Sequence, residues 1–352
     1  MKNIFIELLG HLIAIPSVSC NEAKAADFLQ NFLADQGVSK VHRRGDNIWA
    51  YNRDFDPSRA TILLVSHIDT VAASEAYTRD PFLPTEQDGR LYGLGSNDAG
   101  GSVVALTATF LHFYRMQNLG YNLCLALVAQ EECGGSGGMR LVMDDLGKMD
   151  FAIVGEPTEM KMAIGERGLM VLDCTARGRT GHAARQEGIN AIYIAMNDIA
   201  WLTSYRFARS SDLFGSVKMS VTVIKAGTVH NVVPATCDFT IDVRVSEQYT
   251  LQEVFDTIQE NLTSTVLPRS MRHNPSSIAL THPLVEIGLA MGVEYYGSPT
   301  TSDAAVLSPL PCLKMGPGSS ARSHSADEFI EIEQVEQAID QYIAMLTALI
   351  VK

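Results

Sequence analysis

No uninterrupted apolar run in this 352-residue sequence is long enough to cross a bilayer, which takes about 20 residues. No block of lysines or arginines occurs, and the formal net charge is −13. Nucleic-acid affinity rests on phosphate contacts from clustered basic side chains, so that class of partner is not expected. No C-x-x-C occurs among the six cysteines, Cys20, Cys124, Cys133, Cys174, Cys237 and Cys312. Several lie inside apolar runs, which suits reduced thiols in a cytoplasm rather than a disulfide framework. There is no internal repeat and no low-complexity segment. The N-terminal stretch MKNIFIELLGHLIAIPSVS has the lysine and apolar residues of a secretion signal, but Glu7 and His11 interrupt it. A first amphipathic helix is the better expectation.

What is present is ordinary globular composition, 46% hydrophobic and 19% charged, with length enough for two cores. Helical spacing of apolar residues predicts helices over 3–15, 22–36 and 102–117. Short apolar runs at 62–65, 122–129 and 151–154 predict buried strands between them. Such alternation indicates an α/β fold, a mixed and mostly parallel sheet with helices on both faces. From about residue 167 the pattern changes. Half-exposed strands are expected at 169–176, 216–225 and 237–245, with helices at 189–203 and 250–262, the signature of a smaller α+β unit. A helix at 283–292, a short strand at 311–315 and a long helix at 331–350 then restore the α/β character. The expected organisation is one domain from 1–166 and 279–352, interrupted by an insertion at 167–278.

Polar residues follow each apolar strand. Ser66-His67-Ile68-Asp69 follows the first, Glu131-Glu132 the second, and Gly155-Glu156-Pro157 the third. In an open α/β sheet, ligands bind at the carboxyl ends of the strands. Asp98 lies in a glycine-rich loop before a helix, and His324 in a loop before the last helix. Singly, each has an ordinary reading: Asp98 or Asp327 as a helix N-cap, Glu156 as a turn residue, either histidine as surface. Together, two histidines and three carboxylates make a ligand set for two divalent metals, with one carboxylate shared. Nitrogen and oxygen donors of this kind suit zinc, and a metal pair roughly 4 Å apart forms a hydrolytic clamp.

These motifs, in this order and together with Gly181-His182, resemble the family of zinc-dependent aminoacylases, acetylornithine deacetylases, succinyl-diaminopimelate desuccinylases and carboxypeptidases. The resemblance spans essentially the whole chain, and the insertion resembles that family's dimerisation lid. It implies two Zn2+ per chain, with Co2+ able to substitute. His67 and Glu156 resemble the ligands of one metal, Glu132 and His324 those of the other, and Asp98 the bridge. Glu131 resembles the general base, which must stand near the nucleophilic water without being locked onto a metal. Asp69 resembles the acid that orients His67. The resemblance also implies a cis peptide at Asp98–Ala99. Ala99-Gly100-Gly101 departs from the family, where an acid or methionine often follows the aspartate, and Arg322-Ser323 before His324 is unusual.

Glutamate at 156 is common in relatives that cleave N-acyl amino acids, whereas many aminopeptidase relatives carry aspartate. Arg244 matches an arginine that binds the substrate α-carboxylate, a role suited to its planar fork. It can equally be an exposed strand residue. Asn231, Thr301, Ser302 and Asp303 match substrate-side positions, although Asp303 can equally be a helix N-cap. His182 resembles a lid histidine that stabilises the tetrahedral oxyanion, often in the partner's site. The expected activity is deacylation of an N-acyl-L-amino acid, foremost N2-acetyl-L-ornithine in arginine synthesis, by a cytoplasmic homodimer acting on a small molecule. N-succinyl-ornithine, N-succinyl-diaminopimelate, N-acetyl-lysine and dipeptide or carboxypeptidase substrates remain open. A succinyl group would call for an extra cation, for which Arg322 and Arg185 are candidates. A non-catalytic relative would have lost the base or a ligand, and none is lost here.

Overall fold

Apolar runs unbroken by charge must be covered on both faces, and the strands that bear the site are of that kind. In the computed structural model, which describes residues 2–185 and 187–351, every residue of Thr61–His67 and of Asn122–Val128 is buried. Thr61–His67 pairs in parallel with Asn122–Val128 on one side and with Phe151–Val154 on the other. Cys312–Lys314 adds a further parallel strand beyond Phe151–Val154. At the opposite edge Asn47–Tyr51 runs antiparallel to Asn122–Val128 and forms a hairpin with His42–Arg44. Gly45, at φ 61°, supplies the left-handed conformation the tight turn needs. That hairpin is too short to show a two-residue alternation in the sequence.

Alternate side chains of the sheet face opposite layers. Leu63, Val65, Ala126, Val128 and Val154 pack with Met139, Val142, Ala304 and Leu307 on one face. On the other, Gly101–Tyr114 packs against Thr61–His67 and against the terminal helix Ile332–Ile350. Nearly all of Gly101–Tyr114 is buried, as expected of a helix that is apolar all round. The chain thus has the mixed, mostly parallel α/β sheet with helices on both faces that the sequence pattern predicts.

The chain divides into two compact units. The first runs to Ile164 and takes in Ser277–Tyr296 and everything from Ser302, while the second comprises Gly165–Ser276 and Gly297–Thr301. The second unit is an antiparallel sheet in the order Lys218–Ala226, Thr236–Val245, Gly168–Arg177, Thr265–Pro268. One face carries Met170, Leu172, Cys174, Phe239, Ile241 and Val243, packed on Ala195, Leu202, Val254 and Ile258. Those last four belong to helices Ala191–Ser204 and Leu251–Asn261. Asn190 caps the first by accepting from Ile192 N, and a Thr250–Glu253 capping box starts the second.

Candidate metal centre

His67 is the last residue of Thr61–His67, and the chain turns out of the sheet just after it. Its ring is almost fully buried. Nδ1 faces the Asp69 carbonyl oxygen at 2.9 Å, with the Asp69 carboxylate farther off at 3.6 Å. The carboxylate of Asp69 is engaged elsewhere. It accepts the backbone N–H of Glu131 at 3.0 Å, the N–H of Glu132 at 3.1 Å and the Ser19 hydroxyl at 2.7 Å. Asp69 therefore holds the segment that bears the two glutamates as well as flanking His67.

The glutamates sit where Asn122–Val128 gives way to a loop. Gln130 adopts φ 56°, and Gly134 and Gly135 close the turn by donating to Glu131 O at 2.8 Å and Gln130 O at 2.9 Å. Asp98 lies in a wide turn, Ser96–Gly100, with non-helical backbone at Asp98 and Ala99 and a cis peptide between them. Its loop is pinned by Glu328, whose carboxylate accepts N–H groups of Gly95, Asn97 and Asp98 at 2.9, 2.8 and 2.9 Å. Gly95 has φ +76°, and a Cβ there would come within 2.6 Å of Thr70 Cγ2, so this turn admits only glycine without rearrangement. Glu156 follows Phe151–Val154 and is buried. Gly316 lies against its backbone, where an added Cβ would meet Glu156 O at 2.5 Å.

Five side chains from five chain segments meet here. His67 Nε2 lies 3.2 Å from Asp98 Oδ1 and 3.7 Å from Glu156 Oε1. His324 Nε2 lies 2.9 Å from Glu132 Oε2 and 3.8 Å from Asp98 Oδ2. Asp98 thus stands between the two histidines and offers one oxygen to each. Donor atoms of His67, Asp98 and Glu132 lie within 4.8 Å of one another, as do those of His67, Glu131 and Glu156. Glu131 is therefore as near the cluster as a ligand would be.

The electrostatics show what such crowding costs. Burial pushes the carboxyls of Glu131 and Glu156 well above the usual range, and Asp98 is among the like charges that add to the effect on Glu156. Burial also raises Glu132. Burial opposes the charged form of His67, but the nearby carboxylates of Asp69 and Asp98 and the charges of Glu156 and Glu131 outweigh it and hold the ring well above its ordinary value. Asp98 and Asp69 are lowered despite burial, chiefly through His67. Buried acids and an imidazole that all hold protons more readily than usual make surroundings that favour positive charge, whether it is a proton or a metal cation. Two imidazole nitrogens with four carboxylates are the donors that borderline divalent ions accept, so the residues present fit a metal pair.

The remaining sequence-predicted residues fall in three places. His182 and Asn231 come together on a small ribbon of the second unit. His182 pairs with Val232, Ala183 N donates to Asn231 O at 3.1 Å, and both residues are exposed. Arg244 lies on Thr236–Val245 and already has a bidentate partner, Asp242, with Nε 2.8 Å from Oδ1 and Nη2 3.1 Å from Oδ2. In the first unit Ser302 is buried and its hydroxyl accepts Ala304 N at 3.2 Å, while Thr301, half-buried, closes the second unit. Asp303 makes no cap bond to the helix it precedes, and its charge is among those that raise Glu131. Arg322 is occupied by Gln334, Glu331 and the Phe329 ring.

Sequence reasoning missed Glu328, Lys314 and Glu22, the last a buried carboxylate that accepts Gln130 N at 3.1 Å beside the two glutamates. Lys314 is a buried lysine in a three-residue strand, and its charge lowers Glu156. A lone lysine inside Pro311-Cys312-Leu313-Lys314-Met315 was the available signal, because lysine is almost never fully buried unless paired.

The model of Peptidase family M20/M25/M40 matches residues 63–350. Among curated relatives, acetylornithine deacetylase of Proteus mirabilis is 28% identical over 94% of this chain and 93% of its own length. Succinyl-diaminopimelate desuccinylase of Xylella fastidiosa is 27% identical over 99% of each. Among solved structures, aminopeptidase PepT of Bacillus cereus superposes with TM-score 0.77 at 17% identity, covering 98% of both chains. Bacillus subtilis YXEP, described as a dinuclear metal binding peptidase, superposes with TM-score 0.71 at 15% identity over 99% of this chain and 98% of its own. A match that runs from the strand bearing His67 into the last helix leaves one conclusion: the chain belongs to Peptidase family M20/M25/M40 and is a hydrolase of amide bonds.

Proposed function

We propose that the protein hydrolyses the amide bond of an N-acyl-L-amino acid, foremost N2-acetyl-L-ornithine, releasing the free amino acid and the carboxylate. The observation that carries this reading is Asp98 standing between two histidines, each with its own glutamate partner. His67 and Glu156 would hold one divalent ion, Glu132 and His324 the other, and Asp98 both. We take the ions to be zinc, with cobalt as a substitute. Bound there, they supply Lewis acidity and a lowered water pKa. Glu131 accepts the proton of the attacking water and delivers it to the amine nitrogen as the C–N bond breaks. A carboxyl raised by burial suits both transfers, because its pKa is brought toward that of the working solution. Asp69 and Glu328 keep the segments bearing Glu131, Glu132 and Asp98 in place through five backbone N–H bonds.

The second unit we read as lid and dimerisation domain. Its edge strand Lys218–Ala226 exposes Val223 at 44% and Ile224 at 53%, and helix Ala191–Ser204 exposes Tyr193 at 66% and Met196 at 56%. An exposed apolar edge strand is a surface that another chain can complete. We assign His182 to the oxyanion of a substrate held by the partner subunit, and Arg244, Asn231, Thr301 and Ser302 to the amino-acid portion. No disulfide joins any of the six cysteines, four of which are buried, and this supports a cytoplasmic setting.

The desuccinylase reading stays open because the two kinds of curated relative are almost equally similar, at 28% and 27%. The test is a hydrolysis panel of N-acetyl- and N-succinyl-amino acids and dipeptides with added zinc or cobalt. The highest kcat/KM is expected on N2-acetyl-L-ornithine. A clear preference for succinyl substrates or for dipeptides would replace that assignment.

A further inference from the structure

Two of the six cysteines stand apart from the others. Cys20 and Cys133 are exposed, whereas Cys124, Cys174, Cys237 and Cys312 are buried. They are 113 positions apart in the chain, yet after burial it is the neighbouring Cys133 thiol that most raises the Cys20 thiol above its ordinary value, as two sulfurs side by side do. Cys133 directly follows Glu131 and Glu132, so one partner of the pair is covalently next to the acids of the site.

The backbone that presents both thiols is tightly held. Cys20 adopts φ 72° and Gln130 φ 56°, both in the left-handed region that non-glycine residues seldom enter. One buried carboxylate stabilises both turns: Glu22 Oε1 accepts Cys20 N at 2.7 Å and Gln130 N at 3.1 Å. Asp69 repeats the stitch, accepting from Ser19 on one loop and from Glu131 and Glu132 on the other. Ser19 N donates to Thr70 O and Thr70 N to Ser17 O, so the first loop is also anchored to the segment after His67. The Sγ of Cys133 lies 3.7 Å from Gln130 O, inside its own turn.

We propose that Cys20 and Cys133 are a redox-active thiol pair, oxidised by peroxides to a disulfide that draws the Ser17–Glu22 and Gln130–Gly135 loops together and lowers turnover. One thiolate attacks a peroxide oxygen, the O–O bond breaks, a sulfenic acid forms and one water leaves. The second thiolate attacks that sulfur, the S–O bond breaks and a second water leaves. Two electrons and two thiol protons end on the two oxygens of hydrogen peroxide. A reducing dithiol reverses the bond by exchange. Closing from non-bonded neighbours to an S–S bond of about 2.05 Å shifts the loops by on the order of 1 Å. Misplacement of a catalytic group by about 1 Å can cost roughly 100-fold in rate. Glu131 lies two residues from the bond formed.

The test uses the full-length, metal-loaded enzyme. Hydrogen peroxide should reduce the titratable thiols from six to four, and peptide mass mapping should find one Cys20–Cys133 crosslink within the monomer. Turnover should fall at least tenfold and return to within twofold on addition of dithiothreitol. C20S and C133S should each keep their reduced-state activity within twofold and resist peroxide. Isolated sulfinic acids, an intermolecular crosslink, or a crosslinked enzyme with undiminished turnover would each overturn the proposal. So would peroxide inhibition undiminished in both serine variants.

Discussion

The two sheets of this protein expose opposite habits. In the first unit the central strands are buried at every position, and charge appears only where a strand ends: His67, Glu131, Glu132, Glu156. In the second unit Gly168–Arg177 and Thr236–Val245 alternate buried and half-exposed residues along their whole length. A sheet covered on both faces confines polar groups to its ends, so their positions point to the site. A sheet with one wet face has polar residues at every second position, and nothing in the pattern separates Arg244 from Asp238, Thr240 or Asp242. The same physics that advertises one set of candidate residues conceals the other.

The sharpest way to test that contrast is inside the first unit. E131Q should cost about 10³-fold or more in kcat, at the upper end of what a general base contributes, while metal content stays near that of the wild type. E132Q and H67A should lose metal as well as activity, and a chelator should abolish turnover. Metal analysis beside kinetics decides the matter, and loss of metal in E131Q with retention in E132Q would reverse the two roles.

The largest effect expected from the second unit is that of H182A. An oxyanion donor is worth about 2.7–4 kcal/mol, or roughly 10²–10³ in kcat, with little change in KM or metal content. Mixing H182A with E131Q chains should restore one working site per mixed dimer. Heterodimers verified by mass that stay inactive would confine His182 to its own chain. A smaller effect is expected for R244K, which keeps the charge but loses the bidentate fork. KM should rise about tenfold with kcat nearly unchanged, whereas R269K, at an exposed pair with Asp173, should leave both constants within twofold.

The smallest effect is thermal. Glu131, Glu132 and Glu156 are raised from 4.5 by burial, Glu328 is raised to about 7 by burial, and His67 is raised from 6.5 by its acidic partners. For each of these the folded chain binds more protons than the unfolded chain above pH 4.5, so their contribution is full in acid and lost as pH rises through and beyond neutrality. Asp69 and Asp98, lowered from 3.8, oppose this only in stronger acid. Chelator-treated protein should therefore melt a few degrees lower at about pH 8 than at about pH 5.5. Zinc-loaded protein should show the opposite slope, because ligands must shed protons to bind. Scanning calorimetry of both forms at the two pH values settles the sign.

Much of this protein was legible in the sequence. The long helices and the buried strands are written as apolar periodicity, with boundaries displaced by one to three residues where ends fray or cap, as in the predicted 102–117 against Gly101–Tyr114. His67, Glu131, Glu132 and Glu156 could be named because burial makes a charged strand end conspicuous, whereas Asp98 and His324, which lie in loops before helices, joined them only as members of a ligand set. The hairpin His42–Arg44 with Asn47–Tyr51 was not legible, since three to five residues carry no reliable period.

What only the tertiary structure decided is partnership. Sequence order does not say that Asp98 lies between the two histidines, that Asp69 receives the backbone N–H of both glutamates, or that Glu328 receives three N–H groups from the Asp98 turn. Nor does it say that one Glu22 carboxylate receives the N–H of both Cys20 and Gln130, or that Arg244 is already held by Asp242. The physical reason is the range of the forces. Propensity and periodicity act over a few neighbouring residues and are readable along the chain. A buried charge or an orphan N–H must instead find its complement wherever the fold brings one, and that complement can lie two hundred residues away.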